Sequence, residues 1–138
     1  MTHYRTSRAP YQAYADEVRQ VLSTAGNCAF QVFVATDELE FLEFMRQEFG
    51  ARVLYLDDAP RVPAGGQAIH LDSTLPVSNH QKGKSAIVEW LVLAATSYLV
   101  KGRSNLLDAS LVFNPQLVFV SSRPSYVVSA FRRRTSCL

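Results

Sequence analysis

The stretch FQVFVATDELEFLEFMRQEFGARVLYL, Phe30 to Leu56, changes its period twice. Phe30 to Ala35 is a short aromatic and β-branched run, which reads as a buried strand. From Thr36 the apolar residues adopt helical spacing: Leu42, Met45 and Phe49 share a face, acidic residues fill the first turn, and Gly50 stops the helix. An apolar run then returns as RVLYL, a second strand. Strand, helix and strand in this order predict a parallel crossover, and hence an α/β fold.

The flanking segments extend the alternation. Upstream, Tyr11, Tyr14, Val18, Val21 and Leu22 recur at three- and four-residue steps, so Ala9 to Thr24 reads as an amphipathic helix with Pro10 in its first turn and Gly26 after its end. Downstream, Asp57 to Lys84 carries Pro60, Pro63, Gly65, Gly66, Pro76 and Gly83 and is expected to be irregular; so long a loop usually has a task. A helix is expected from Ser85 to about Ser97, with Ile87, Trp90, Leu91 and Ala94 on one stripe. Tyr98 to Val100 reads as a strand, Asn105 to Phe113 as a short helix capped by Ser104 and Asn105, and Gln116 to Val120 as a last strand. The predicted organisation is one domain over residues 1–122 followed by a tail, 123–138, without persistent period. In layered α/β folds, ligands collect at the C-terminal ends of the strands.

Composition narrows the function classes. At 138 residues the chain suits a single core, and 48% apolar residues is a globular composition. The net charge of +2 owes much to Arg132, Arg133 and Arg134, so the body is near neutral and nucleic acid is not favoured as a partner. Two cysteines, Cys28 and Cys137, form no CxxC or His-linked spacing, which argues against a disulfide framework or zinc site and fits a reducing compartment. His70 and His80 have no partner at ligand spacing, so no metal is expected. No apolar run reaches the length of a membrane span, and the expected location is the cytoplasm.

Several residues fall where chemistry would be placed. Asp37 and Glu38 follow the first strand directly, where carboxylates could bind hydroxyls of a sugar or ribose. In the alternative, Thr36 or Asp37 caps the helix, with Glu40 at capping-box spacing from Asp37. Glu89 lies between Val88 and Trp90 in the most apolar helix. A carboxylate there either reaches water or accepts from a specific donor, for which the N–H groups of a guanine edge are suited. Lys82, Gly83 and Lys84 before that helix, and Lys101, Gly102 and Arg103 before the next, are basic glycine turns at expected helix N-termini. Such turns suit anions, although no P-loop or GxGxxG pattern is present. His3 and Arg5 would share a face if their segment is extended.

Taken in order, HYR, FVATDELEFLEFMRQEFG and KGKSAIVEWLVLAATSYLVKGRSNLLDASLVFNP resemble the C-terminal, nucleotide-sugar-binding half of a fucosyltransferase group. That group comprises the rhizobial nodulation and core α-1,6-fucosyltransferases and the protein O-fucosyltransferases. RAPYQAYADEVRQ resembles the helix that bacterial relatives carry after the H-x-R motif, and the likeness spans His3 to Val120. It implies a Rossmann-like three-layer parallel sheet, the C-terminal lobe of a GT-B architecture, binding GDP-fucose for inverting transfer to a glycan or other hydroxyl acceptor. No metal or cofactor is implied.

Residue by residue, the resemblance implies guanine contact for His3 and Glu89 and β-phosphate contact for Arg5, which becomes the catalytic charge stabiliser. It implies donor contact for Asp37 and Glu38 and phosphate contact for Ser104 and Asn105. Gly102 and Arg103 stand where relatives place small hydroxyl residues, which makes Arg103 a candidate phosphate ligand. The strand carrying H-x-R is expected upstream of Met1, and the acceptor-binding lobe outside this chain, so the chain alone is expected to be inactive. A non-catalytic nucleotide-sugar-binding module is the competing expectation. A further alternative is a Rossmann-like interaction module whose missing strand comes from a partner chain.

Overall fold

The computed structural model describes residues 11–24, 30–63, 69, 71–96, 98–101, 112–116, 118–119 and 128–133. The fold is mixed α/β. In chain order the elements are α1 (Tyr11–Thr24), β1 (Phe30–Ala35), α2 (Leu39–Phe49), a 3-10 turn (Gly50–Arg52), β2 (Val53–Leu54), α3 (Asn79–Ala94), β3 (Tyr98–Lys101), β4 (Val118–Phe119) and β5 (Val128–Arg133). The helix–strand alternation expected from the apolar periods therefore holds from α1 to β3, and Gly50 ends α2 at a positive φ of 57° that few other residues adopt.

The five strands form one sheet in the order β2-β1-β5-β3-β4. β1 pairs in parallel with β2, and β3 with β4, as crossover connections require. β5 lies between β1 and β3 and runs antiparallel to both, pairing Ala35 with Val128 at one end of β1 and Phe30 with Arg133 at the other. Two expectations change here. The sheet is not all parallel, and the segment set aside as a tail, 123–138, contains its central strand.

β1 is buried along almost its whole length, as befits an inner strand. Its side chains alternate between two clusters. Phe30, Val32 and Val34 pack with Tyr14, Val18 and Val21 of α1 and Phe41, Leu42 and Met45 of α2, while Phe33 and Ala35 pack with Leu93 and Val92 of α3 and with Leu99. Tyr14 and Phe41 meet edge to face at 5.5 Å, which locks the first two helices together.

α3 departs from its expected form in its start and in its buried face. It starts at Asn79, not Ser85, because Ser78 caps it: Ser78 Oγ accepts from the Gln81 N–H at 3.1 Å. Lys82, Gly83 and Lys84 thus sit in its opening turns and are not a basic turn ahead of it. Its inward stripe is also different. Ser85, Glu89, Leu93 and Ala94 are buried, whereas Ile87 and Leu91 of the expected apolar stripe are exposed. Beyond α3, Asn114 Nδ2 donates to the Ala94 carbonyl at 2.8 Å, tying the segment after the helix back to its C-terminus. Of the expected helix from Asn105 to Phe113, only Val112 and Phe113 are described, and both are helical.

Candidate functional site

Thr36, Asp37 and Glu38 stand at the C-terminal end of β1, and the chain leaving β2 turns back against them. The Val62 N–H donates to the Asp37 carbonyl at 2.8 Å and the Leu39 N–H to the Val62 carbonyl at 3.1 Å, giving a one-residue parallel bridge between Glu38 and Val62. This fold-back holds Arg61 against the segment that follows β2. Its Nη1 donates to the Leu56 carbonyl at 3.0 Å and the Ala59 carbonyl at 3.1 Å, and its guanidinium lies 5.5 Å from the centre of the Tyr55 ring.

α2 begins at Leu39, later than a cap at Thr36 or Asp37 would place it. The N-cap is Glu38, which makes no side-chain cap bond, and its own N–H donates to Thr36 Oγ1 at 3.1 Å. The Glu38 carboxylate is buried, and Oε2 accepts from the Tyr11 hydroxyl at 2.7 Å. It therefore ties α1 to the start of α2. Asp37 is exposed at the same strand end.

Glu89 comes from the opposite side, on the buried stripe of α3. Its side chain is 12% exposed and that of Arg61 is 8%, with Oε1 of the one 4.0 Å from Nη2 of the other. The separation is an ion pair beyond hydrogen-bond reach. Burial pushes the Glu89 carboxyl up from 4.5 to about 7; Arg61 opposes the rise, and the charges of Asp37 and Asp58 add to it. Glu89 Oε1 and Arg61 Nε and Nη2 are all buried without a hydrogen-bond partner among the described residues. Chemically, the cluster offers an acceptor that titrates near neutrality beside a fixed cation with free donors, at the strand ends where α/β folds bind ligands.

Of the residues for which the resemblance implies donor contact, Asp37, Glu38 and Glu89 are described, and Asp37 and Glu89 are close enough to interact electrostatically. His3, Arg5, Arg103, Ser104 and Asn105 lie outside the described residues, as do His70, Cys28 and Cys137. Arg61 was not anticipated. Its only signal is a lone cation in DDAPRVP, between Pro60 and Pro63 and just after a strand. Among the described residues no group of three or more His, Cys, Asp or Glu could hold a metal, and no helix is long and apolar enough to cross a membrane. No protein-family model, curated protein or solved structure matches the chain.

Proposed function

We propose that the chain is the donor-binding domain of a GDP-fucose-type glycosyltransferase, acting by metal-independent, inverting transfer. The observation that carries this reading is Glu89: a buried carboxylate on α3 with an unbonded oxygen, close to the C-terminal end of β1. Such a group is costly unless something donates to it. Guanine N1–H and N2–H are a matched pair of donors. The finer fold reading, a Rossmann-like three-layer lobe, draws support from the parallel pairs β2–β1 and β3–β4 and from helices packed against the two sides of β1.

In this reading Arg5 stabilises the departing diphosphate, a role a guanidinium fills without a metal. His3 contacts the base, Arg103, Ser104 and Asn105 the phosphates, and Asp37, with Glu38 behind it, faces the sugar side. Transfer needs an acceptor-binding lobe to present the glycan or other hydroxyl.

A second reading, a nucleotide-sugar-binding or Rossmann-like interaction module without transferase activity, is favoured by one observation. The antiparallel β5 occupies the middle of the sheet, where a doubly wound lobe carries a parallel strand. Incubation with GDP-fucose and separation of the products distinguishes the two. Release of GDP and fucose or a fucosylated acceptor supports the transferase, GDP-selective binding without turnover supports a nucleotide-sugar-binding module, and no nucleotide binding at all contradicts both of these and leaves the interaction module.

A further inference from the structure

Ser85, Glu89 and Leu93 of α3 point into the protein, and on its other side Gly83, Ile87, Leu91 and the C-cap Ala95 form an exposed row at four-residue steps. Ile87 is 53% exposed and Leu91 48%, on a helix face that in a solitary globular chain is ordinarily polar. Beside the row, Phe113 packs edge to face on Trp90 at 4.7 Å, and Phe113 and Val112 are both exposed, so the apolar surface continues sideways. Asn114 fixes that shoulder through its bond to the Ala94 carbonyl at 2.8 Å. Neither Ile87 nor Leu91 belongs to a core cluster, so the fold of a single chain does not depend on covering them. A contiguous apolar patch of this kind marks an interaction surface.

We propose that this face of α3 is a self-association surface, on which a second copy of the chain packs its own α3 antiparallel about a two-fold axis. The row reads small, large, large, small, and so keeps its shape when its direction is reversed. An isologous interface demands that symmetry. An axis between Ile87 and Leu91 sets each Ile87 against the partner's Leu91 and each Gly83 against the partner's Ala95. The row is also a ridge of the four-residue kind, which interdigitates with its like in the commonest helix packing. At Gly83 a β-carbon would meet nothing within 4 Å, so that end of the ridge is open to a neighbouring helix.

Charge favours the antiparallel direction. Lys84 is exposed and borders the row in the first half of the helix, whereas the last turn of α3 holds no basic residue. Across the axis Lys84 falls level with the partner's Ala94, at the negative end of that helix dipole; a parallel pair would set the two Lys84 side chains against each other. The pairing is independent of the nucleotide reading, because Glu89 lies on the buried side of the same helix.

The test is sedimentation velocity on the full chain at low salt, over a concentration series reaching the high micromolar range, for wild type, Leu91→Lys and Lys84→Glu. An interface of one helix face is small and reversible, so the wild-type dimer is expected to grow with concentration. Leu91→Lys alters an exposed position and keeps the monomer fold, which far-UV circular dichroism checks. It should weaken the dimer roughly tenfold or more, because the change enters the interface twice. Lys84→Glu should weaken it roughly threefold or more, since it sets an anion against each partner's helix C-terminus. A wild type that stays monomeric throughout overturns the proposal, as does a dimer that Leu91→Lys leaves unchanged. A dimer weakened by Leu91→Lys but not by Lys84→Glu overturns the antiparallel arrangement.

Discussion

Arg61 and Glu89 meet at 4.0 Å in a buried position, an ion pair too long to be a hydrogen bond. Because Arg61 belongs to the fold-back after β2 and Glu89 to α3, this one relationship joins the layer behind the sheet to the loops at its C-terminal edge. It also places an incompletely satisfied carboxylate there. Burying such a group costs stability, and the cost depends on pH.

The Glu89 carboxyl is raised from 4.5 to about 7 by burial. Between those values the folded state holds a proton that the unfolded chain has released. Stability from this group is therefore full below about 4.5 and is lost as pH rises through about 7, by roughly 3 kcal/mol in all. Urea denaturation at a series of pH values should show wild type losing stability relative to Glu89→Gln over that window. A difference between the two that does not change with pH would contradict a raised carboxyl.

Tyr11 donates to the buried Glu38 carboxylate at 2.7 Å. Removing the hydroxyl in Tyr11→Phe keeps the ring contacts with Phe41 and Phe44 and should cost about 1–2 kcal/mol in chemical denaturation. GDP affinity should change little, because the bond holds α1 against α2 and leaves Asp37 and Glu89 in place.

The inward face of α3 is tested by two neighbouring leucines. Leu93 is 1% exposed and Leu91 48%. Leu93→Ala should cost about 2–5 kcal/mol, whereas Leu91→Ala should stay within about 1 kcal/mol. Thermal or urea denaturation reads both, and a reversed order would restore the stripe of Ile87, Trp90, Leu91 and Ala94.

Gly83 lies within α3, and a β-carbon added there would meet nothing within 4 Å. Gly83→Ala should therefore stabilise by about 0.5–1 kcal/mol, raising the thermal midpoint by roughly 2–4 °C. A fall in the midpoint would show that the helix does not begin at Asn79.

These sites also show what could be read in advance. Tyr14, Val18, Val21, Leu42 and Met45 were legible as core because helical spacing reports burial on one face. The start of α3 was written in the sequence as Ser78 followed three residues later by Gln81, a capping-box spacing, but the polar run through Lys84 and the glycine in it obscured the signal. Its face was misread because Ile87 and Leu91 outweigh Ser85 and Glu89 in hydropathy, and only packing decides which stripe turns inward. β5 was illegible for a different reason. Its position is defined by pairing with β1 and β3, each far away in the chain, and local pattern carries no information about such partners. Arg61 was missed likewise, since its surroundings arise from the fold-back of Val62 onto Asp37 and from Glu89 on a later helix.

The most direct test is calorimetric titration of GDP, ADP and UDP into wild type and Glu89→Gln at pH 8, where Glu89 is ionised. Glu89→Gln removes the charge whose burial is unfavourable at that pH, so lost binding would not reflect unfolding. The prediction is GDP-selective binding by the wild type, weakened roughly tenfold or more by Glu89→Gln, and falling for the wild type as pH drops below about 7. Equal binding of all three nucleotides, or a GDP affinity that Glu89→Gln leaves unchanged, would contradict the account.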